Sequence, residues 1–204
     1  EAVQTLSEKK DHPKLKENKK ELAKALAKTA QHYRNKIEHA VWREKEAVRS
    51  VKRLATSPKL DDLIQNLTES LTNHGEKALA GVGETLAFTA ETTNVSVPTE
   101  PEETAEEKEA KRITPKRLFK GTLSLDTFRR MLGEEEYRWY ENMMEKDLDF
   151  RKKIAEITNF MDGKRNLHEI LKAISAEYTK TSVQNVLKII RDLEKTRMAT
   201  RTTT

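Results

Sequence analysis

Cysteine is absent from the 204 residues. That excludes a disulfide scaffold, thiol chemistry and cysteine-ligated zinc, and it leaves the redox compartment open. Aromatic residues make up 5% and all hydrophobic residues 35%, against 36% charged, and mean hydropathy is -0.83. A chain with so little to bury builds helices that carry a narrow apolar stripe, not a thick core. No apolar run approaches the roughly eighteen residues of a membrane span, and no signal-peptide apolar region is found. No membrane partner is therefore expected, and the compartment is left unassigned. The chain opens on Glu1 without an initiator Met, and the expectation is a portion or trimmed product of a longer polypeptide.

Charge is divided unevenly. Residues 1–90 hold 17 Lys/Arg against 13 Asp/Glu, residues 91–110 hold one against seven, and residues 111–204 hold 21 against 14. The acidic middle, ETTNVSVPTEPEETAEEKEA, has little to bury and cannot offset its ordering entropy. The expected organisation is a helical hairpin over 1–90, a flexible acidic linker over 91–111, and a helical unit over 112–204. The expected fold class is mainly α.

In the first unit the apolar positions Leu15, Leu22, Leu26, Thr29, Tyr33, Ile37, Val41, Val48, Val51 and Ala55 keep to one helical face. Tyr33, Ile37 and Val41 step by fours, a stutter that unwinds any supercoil locally. Forty such residues would span roughly 60 Å. Ser57-Pro58 stops this helix and opens the next, with Ser57 as N-cap, Pro58 at the first position, and Asp61 and Asp62 complementing the dipole. The second stripe reads Leu60, Ile64, Leu67, Leu71, Ala78, Val82 and Leu86. Gly75, Gly81 and Gly83 each weaken it by about 1 kcal/mol relative to Ala, and a break is expected near Asn73-His74-Gly75. The short turn makes the pair antiparallel. Two helices leave much of the stripe wet, so a third partner is expected from a second copy or an upstream domain.

After the linker, Arg112–Gly121 reads as an extended basic segment and Leu125–Leu132 as a short helix. Glu134–Met161 reads as a longer helical stretch, and Met161-Asp162-Gly163-Lys164 as a helix stop. Asn166 caps a helix carrying Leu167, Ile170, Leu171 and Ile174. A turn at 178–180 leads to Thr181, read as the cap of a helix carrying Val183, Val186, Leu187, Ile190 and Leu193. Met198–Thr202 alternates weakly, as one short strand would. Helix, tight turn, helix, strand is the skeleton of a winged helix-turn-helix.

Few residues carry chemistry. The polar face of the last helix offers Ser182, Gln184, Asn185, Lys188, Arg191 and Lys195, the residue types that contact phosphates and base edges. Asp192 and Glu194 interrupt it. The histidines (His12, His32, His39, His74 and His168) form no tight metal spacing. No Ser or Thr sits in a nucleophile motif, and Gly81-Val82-Gly83 is not a phosphate loop. Tyr137, Trp139 and Tyr140 read as a core anchor, not as a binding surface. No catalytic, metal-ligating or cofactor-binding residue is expected, and no cofactor.

The segments ITPKRLFKGTLSLDTF (Ile113–Phe128) and ITNFMDGKRNLHEILKAISAEY (Ile157–Tyr178), followed by VLKIIRDLEKTRMA, resemble the C-terminal accessory region of bacterial zinc aminopeptidase-like proteins of peptidase clan MH, the leucyl aminopeptidase-related group. Pro115, Arg117, Leu118 and Gly121 match a P-x-R-L-x-x-G element, and Asp162, Gly163, Lys164 and Arg165 match a D-G-K-R turn. The family's two-metal ligands have no counterpart here. The resemblance implies a non-catalytic portion of a larger peptidase-like hydrolase, ending in a winged-helix-like module. The expected function is an accessory or interaction region that packs on a catalytic domain or dimerises. The alternative is a DNA-binding winged-helix regulator with a helical dimerisation hairpin, contacting nucleic acid through Gln184, Asn185, Lys188, Arg191 and Lys195.

Overall fold

A computed structural model describes residues 1–12, 18–98, 101–179 and 181–203. Leu15 and Lys180 lie outside the described residues. The protein is mainly α-helical and divides into two compact units, Glu1–Glu102 and Glu103–Thr204.

The first unit holds α1 (Ala2–Asp11), α2 (Lys19–Ser50), a 3-10 turn (Val51–Arg53) and α3 (Pro58–Thr93). Asn18 caps α2 by accepting the Glu21 N–H, and Ser57 caps α3 by accepting the Leu60 N–H with Pro58 at the first position. At 1.5 Å per residue each long helix runs about 50 Å. Three contacts fix them as antiparallel. Lys52 bridges Asp61 at 2.6 Å, Lys45 donates to Thr72 at 2.7 Å, and Val41 packs on Gly75, so one residue number falls as the other rises.

The expected break at Gly75 does not occur. The helix is continuous there, and Gly75 is buried where Val41 crosses it: a Cβ would lie 2.6 Å from Val41 Cγ2. Gly75 is a point of close approach, and Val41, β-branched and stiff at χ1, cannot easily withdraw. Gly81 and Gly83 have open space in the same position. Gly81→Ala and Gly83→Ala should each raise stability by up to about 1 kcal/mol through helix propensity. Gly75→Ala should lose that gain and lower the melting temperature through overpacking. Thermal melts of the three single variants check this, with Val41→Ala restoring the Gly75→Ala protein.

The third partner expected for the hairpin comes partly from the chain itself. The residues preceding the hairpin, with no reading of their own in the sequence, form α1, whose Leu6 is fully buried against Leu22, Leu26, Ala30, Val82 and Leu86. Thr5 Oγ1 hydrogen-bonds Tyr33 Oη at 2.8 Å, and Val95 and Val97 pack on the same cluster.

The second unit holds α4 (Ala105–Arg112), β1 (Ile113–Arg117), α5 (Leu125–Leu132), α6 (Glu134–Lys146), α7 (Phe150–Phe160), α8 (Leu167–Glu177), α9 (Val183–Lys195) and β2 (Ala199–Thr203). The acidic stretch 91–111 differs from a linker at both ends. Glu91–Thr93 finish α3, and 105–112 form α4, started by a Thr104/Glu107 capping box and anchored by fully buried Ala110. The basic segment supplies β1, which pairs antiparallel with β2 from Ile113↔Thr203 to Arg117↔Ala199. The stretch 134–161 is two helices, broken at 147–149, where Leu148 is exposed. Ser182, not Thr181, caps α9 by accepting the Asn185 N–H.

One core joins these elements. Phe128, Tyr140, Phe150, Ile154, Ile157, Leu167, Ile170, Ile174, Ile189 and Leu193 are all essentially inaccessible. Tyr137 and Tyr140 are buried and stack at 5.4 Å, with Trp139 edge-on to Tyr140 at 4.9 Å, so the aromatic cluster is the core anchor its spacing implied.

Candidate functional site

The residues expected to touch nucleic acid lie on α9, which the core holds from two sides through Val186, Leu187, Ile189, Ile190 and Leu193. Gln184, Lys188, Arg191 and Lys195 follow one another at steps of four, three and four and so share a stripe. Much of its charge is already engaged. Lys188 Nζ donates to Asp192 Oδ2 at 2.8 Å and lies 5.1 Å from the Trp139 ring centroid. Asp192 is buried and also accepts the Tyr140 hydroxyl at 2.7 Å. Burial, then this bond to Asp192, pushes the Tyr140 hydroxyl far above the ordinary phenol range. Lys195 pairs with Glu136, and Arg201 with Glu194 at 3.3 Å. Gln184 and Arg191 are exposed, while Asn185 is half-buried. The stripe exists; Lys188 is tied to the buried Asp192, while Lys195 pairs with Glu136 at the surface.

The two motifs that carry the family resemblance are brought side by side. Arg117 N–H donates to the Met161 carbonyl at 2.9 Å, and Gly163 N–H donates to the Pro115 carbonyl at 3.1 Å. Gly163 takes φ +77, a left-handed conformation that favours glycine, and the Lys116 side chain passes 3.1 Å from where a Cβ would stand. Asp162 closes the turn by accepting the N–H groups of Lys164 and Arg165 at 2.8 and 2.9 Å. Burial alone would raise its carboxyl, and the Arg165 and Lys164 N–H groups hold it below the usual range instead. Arg117 donates to the Gly121 carbonyl at 3.0 Å. These residues make turns and join elements.

His168 has its Nδ1 buried without a hydrogen-bond partner among the described residues. Burial, then the charges of Lys111 and Lys172, lowers its pKa. Among the described residues no group of three or more His, Asp or Glu is arranged to hold a metal, and no helix is long and apolar enough to cross a membrane. A cleft of about 350 Å³ lies between the start of α5 and α7, lined by Leu123, Ser124, Asp126, Arg151 and Ile154 among others. Its Ser124 Oγ accepts the Thr127 N–H as the α5 cap, and no histidine lines it to serve as a base.

A further feature is apolar and lies on the hairpin. The face that α1 covers at Tyr33 and Ile37 continues along α2 through Ala40, Ala47, Val48 and Val51, and along α3 through Leu71, Leu67, Leu63 and Leu60. Beyond α1 this face is open: Val51 is 40%, Leu63 53%, Leu67 44% and Leu54, in the turn, 87% exposed. The stripe read from sequence placed Leu67 and Ala78 inward. The inward positions are Ile64, Gly75, Val82 and Leu86, and Leu67 belongs to the outer flank together with Leu63. The i, i+4 spacing of Leu63 and Leu67 is the signal that could have revealed it.

No family model, curated protein or solved structure matches the chain. The likeness to the peptidase accessory region rests on the two motifs alone.

Proposed function

We propose that the chain is a non-catalytic accessory module that docks protein through the outer half of its hairpin. The observation that carries this reading is the exposure of Val51, Leu54, Leu63 and Leu67 on the outer half of the hairpin, where beyond Glu44 the apolar face that α1 covers elsewhere resumes. Soluble chains rarely leave such a contiguous patch open unless something binds there. The second unit, with its helix–turn–helix and β1–β2 pair, suits a winged-helix-like end. The resemblance names one candidate for a partner, a peptidase-like catalytic domain. A DNA-binding reading retains the exposed Gln184, Arg191 and Lys195, but the tie of Lys188 to the buried Asp192 argues against it.

The test is a photo-crosslinking amino acid placed at position 67 or, as control, at position 65, on the polar flank. Position 67 should give protein adducts in undiminished yield when the irradiation is done at high salt, since apolar packing is nearly indifferent to ionic strength, whereas position 65 should give few. Equal yields at the two positions, or none at 67, would overturn the reading. Duplex-DNA binding that falls linearly in log salt and is lost on Arg191→Ala would replace it with the DNA-binding alternative.

A further inference from the structure

We infer that α4 is an acid-released latch, held on α8 while the His168 ring is neutral and loosened when the ring takes up a proton. This device is independent of docking on the hairpin and adds a means of control to the second unit. Its starting point is an unpaired atom. Among the described residues, His168 Nδ1 is the one buried side-chain nitrogen or oxygen without a hydrogen-bond partner. Nearly every such group in a folded protein is paired, so the exception calls for a reason. A neutral ring tolerates the place: its proton sits on Nε2, and Nδ1 is a bare acceptor. An imidazolium does not, because it puts an N–H on Nδ1 with nothing to accept it.

The surroundings also resist a charge. His168 is the second residue of α8, at the positive end of the helix dipole, and α4 packs on α8. Burial weighs most against a charged ring, then Lys111 of α4 and Lys172 of α8, while Glu107 of α4 and Glu103 just before it weigh the other way. Both carboxylates are already in use. Glu107 Oε2 accepts the Thr104 N–H at 2.8 Å, one half of the box that starts α4. Glu103 pairs with Lys111 and so ties the start of the helix to its last turn.

A protonated ring therefore has three courses. It can stay with its N–H unpaired, draw a carboxylate away from one of these bonds, or swing out to water. Each weakens the hold on α4, an eight-residue helix too short to persist unsupported. Ala110 is its one buried residue, so little apolar contact opposes release. Release uncovers the core that Ala110 closes and adds α4 to the stretch joining the two units.

Because the fold favours the neutral ring, an opened α4 lets the proton on more readily than a closed one. The latch is whole above the ordinary histidine value of 6.5 and loosens as the pH falls through it. Its hydrogen bond with Lys111 holds the Glu103 carboxyl below the usual range, so that pair is still charged when the histidine titrates.

Hydrogen–deuterium exchange of the whole chain at about pH 7.5 and about pH 5.5, corrected for intrinsic amide rates, reads the latch directly. Protection over 105–112 should fall several-fold at the lower pH, while α6 and α7 keep theirs. His168→Leu, or His168→Gln if leucine disturbs the packing, should keep α4 protected at both. In the unaltered chain the His168 ring should titrate below 6.5 by NMR, and Lys172→Gln should move the midpoint up. Three results would each overturn the latch: α4 protection that ignores pH, a loss that survives both neutral variants, or a ring that titrates at or above the ordinary value.

Discussion

Leu26→Asp should unfold the first unit, and Leu67→Asp should leave its helices intact. Both leucines sit in regular apolar spacing, and from the sequence alone each is expected to be indispensable. The structure separates them: Leu26 is fully buried, and Leu67 is 44% exposed. Truncating a core leucine already costs about 2–5 kcal/mol. An aspartate there must also be desolvated or protonated with no partner to compensate. Leu26 contributes to the small cluster with Leu6, Leu22, Ala30, Val82 and Leu86 that holds three helices together, so the loss is shared by all of them. Against a total stability of about 5–15 kcal/mol for a domain, Leu26→Asp removes much of what holds the unit. Leu67→Asp gains hydration on a surface flank and should change stability by about 0.5 kcal/mol or less. Helicity and urea midpoints of the two variants measure the contrast directly. Equal melting of both would place Leu67 in the core after all.

What the sequence made legible was local and periodic. Ser57-Pro58 and Asn166 were readable because a cap side chain and the helix it starts are neighbours in sequence, and the capping box Asn166–Glu169 forms as the spacing indicates. The mainly helical class and the core role of Tyr137 and Tyr140 followed from spacing in the same way. Features that depend on distant residues were not legible. Whether Leu63 or Ile64 turns inward is a matter of phase along a 36-residue helix, and phase is set by Val41 meeting Gly75 across the hairpin. The acidic run looked unburiable, yet Thr104 and Glu107 nucleate a short helix whose small Ala110 reaches the core. The strand Met198–Thr202 hinted at itself weakly, and its partner lies more than eighty positions earlier, in a segment that reads as a basic tether until β2 is laid beside it. For the candidate site, Gln184, Lys188, Arg191 and Lys195 share one stripe of α9 as their spacing implies, while Asn185 is half-buried beside it, and the sequence could not show that Lys188 and Lys195 would pair with Asp192 and Glu136.

Asp147→Ala should cost the second unit about 3–5 kcal/mol, more than its partly exposed position suggests, because the damage falls on Lys153. The Lys153 side chain is 2% exposed, and its ammonium donates to Asp147 Oδ2 at 2.6 Å and to Thr179 Oγ1 at 2.6 Å. One buried cation thus ties the break between α6 and α7 to the turn after α8, two places where the backbone leaves helical geometry. Asp147 Oδ1 also accepts the Asp149 N–H at 3.1 Å, which fixes the break itself. Without the carboxylate the ammonium stays desolvated with one neutral hydroxyl, and the helix start at Phe150 loses its support. Removing the charge instead should be mild. Lys153→Met keeps the length and the apolar contacts, and the remaining carboxylate is exposed enough to be solvated, so a loss of about 1 kcal/mol is expected. If the cation is what makes Asp147 necessary, Lys153→Met with Asp147→Ala should be nearly as stable as Lys153→Met alone. The double-mutant cycle should then show a coupling of at least about 2 kcal/mol. Additive losses would assign the role of Asp147 to its bond with Asp149 and leave the buried lysine as a tolerated passenger of the core.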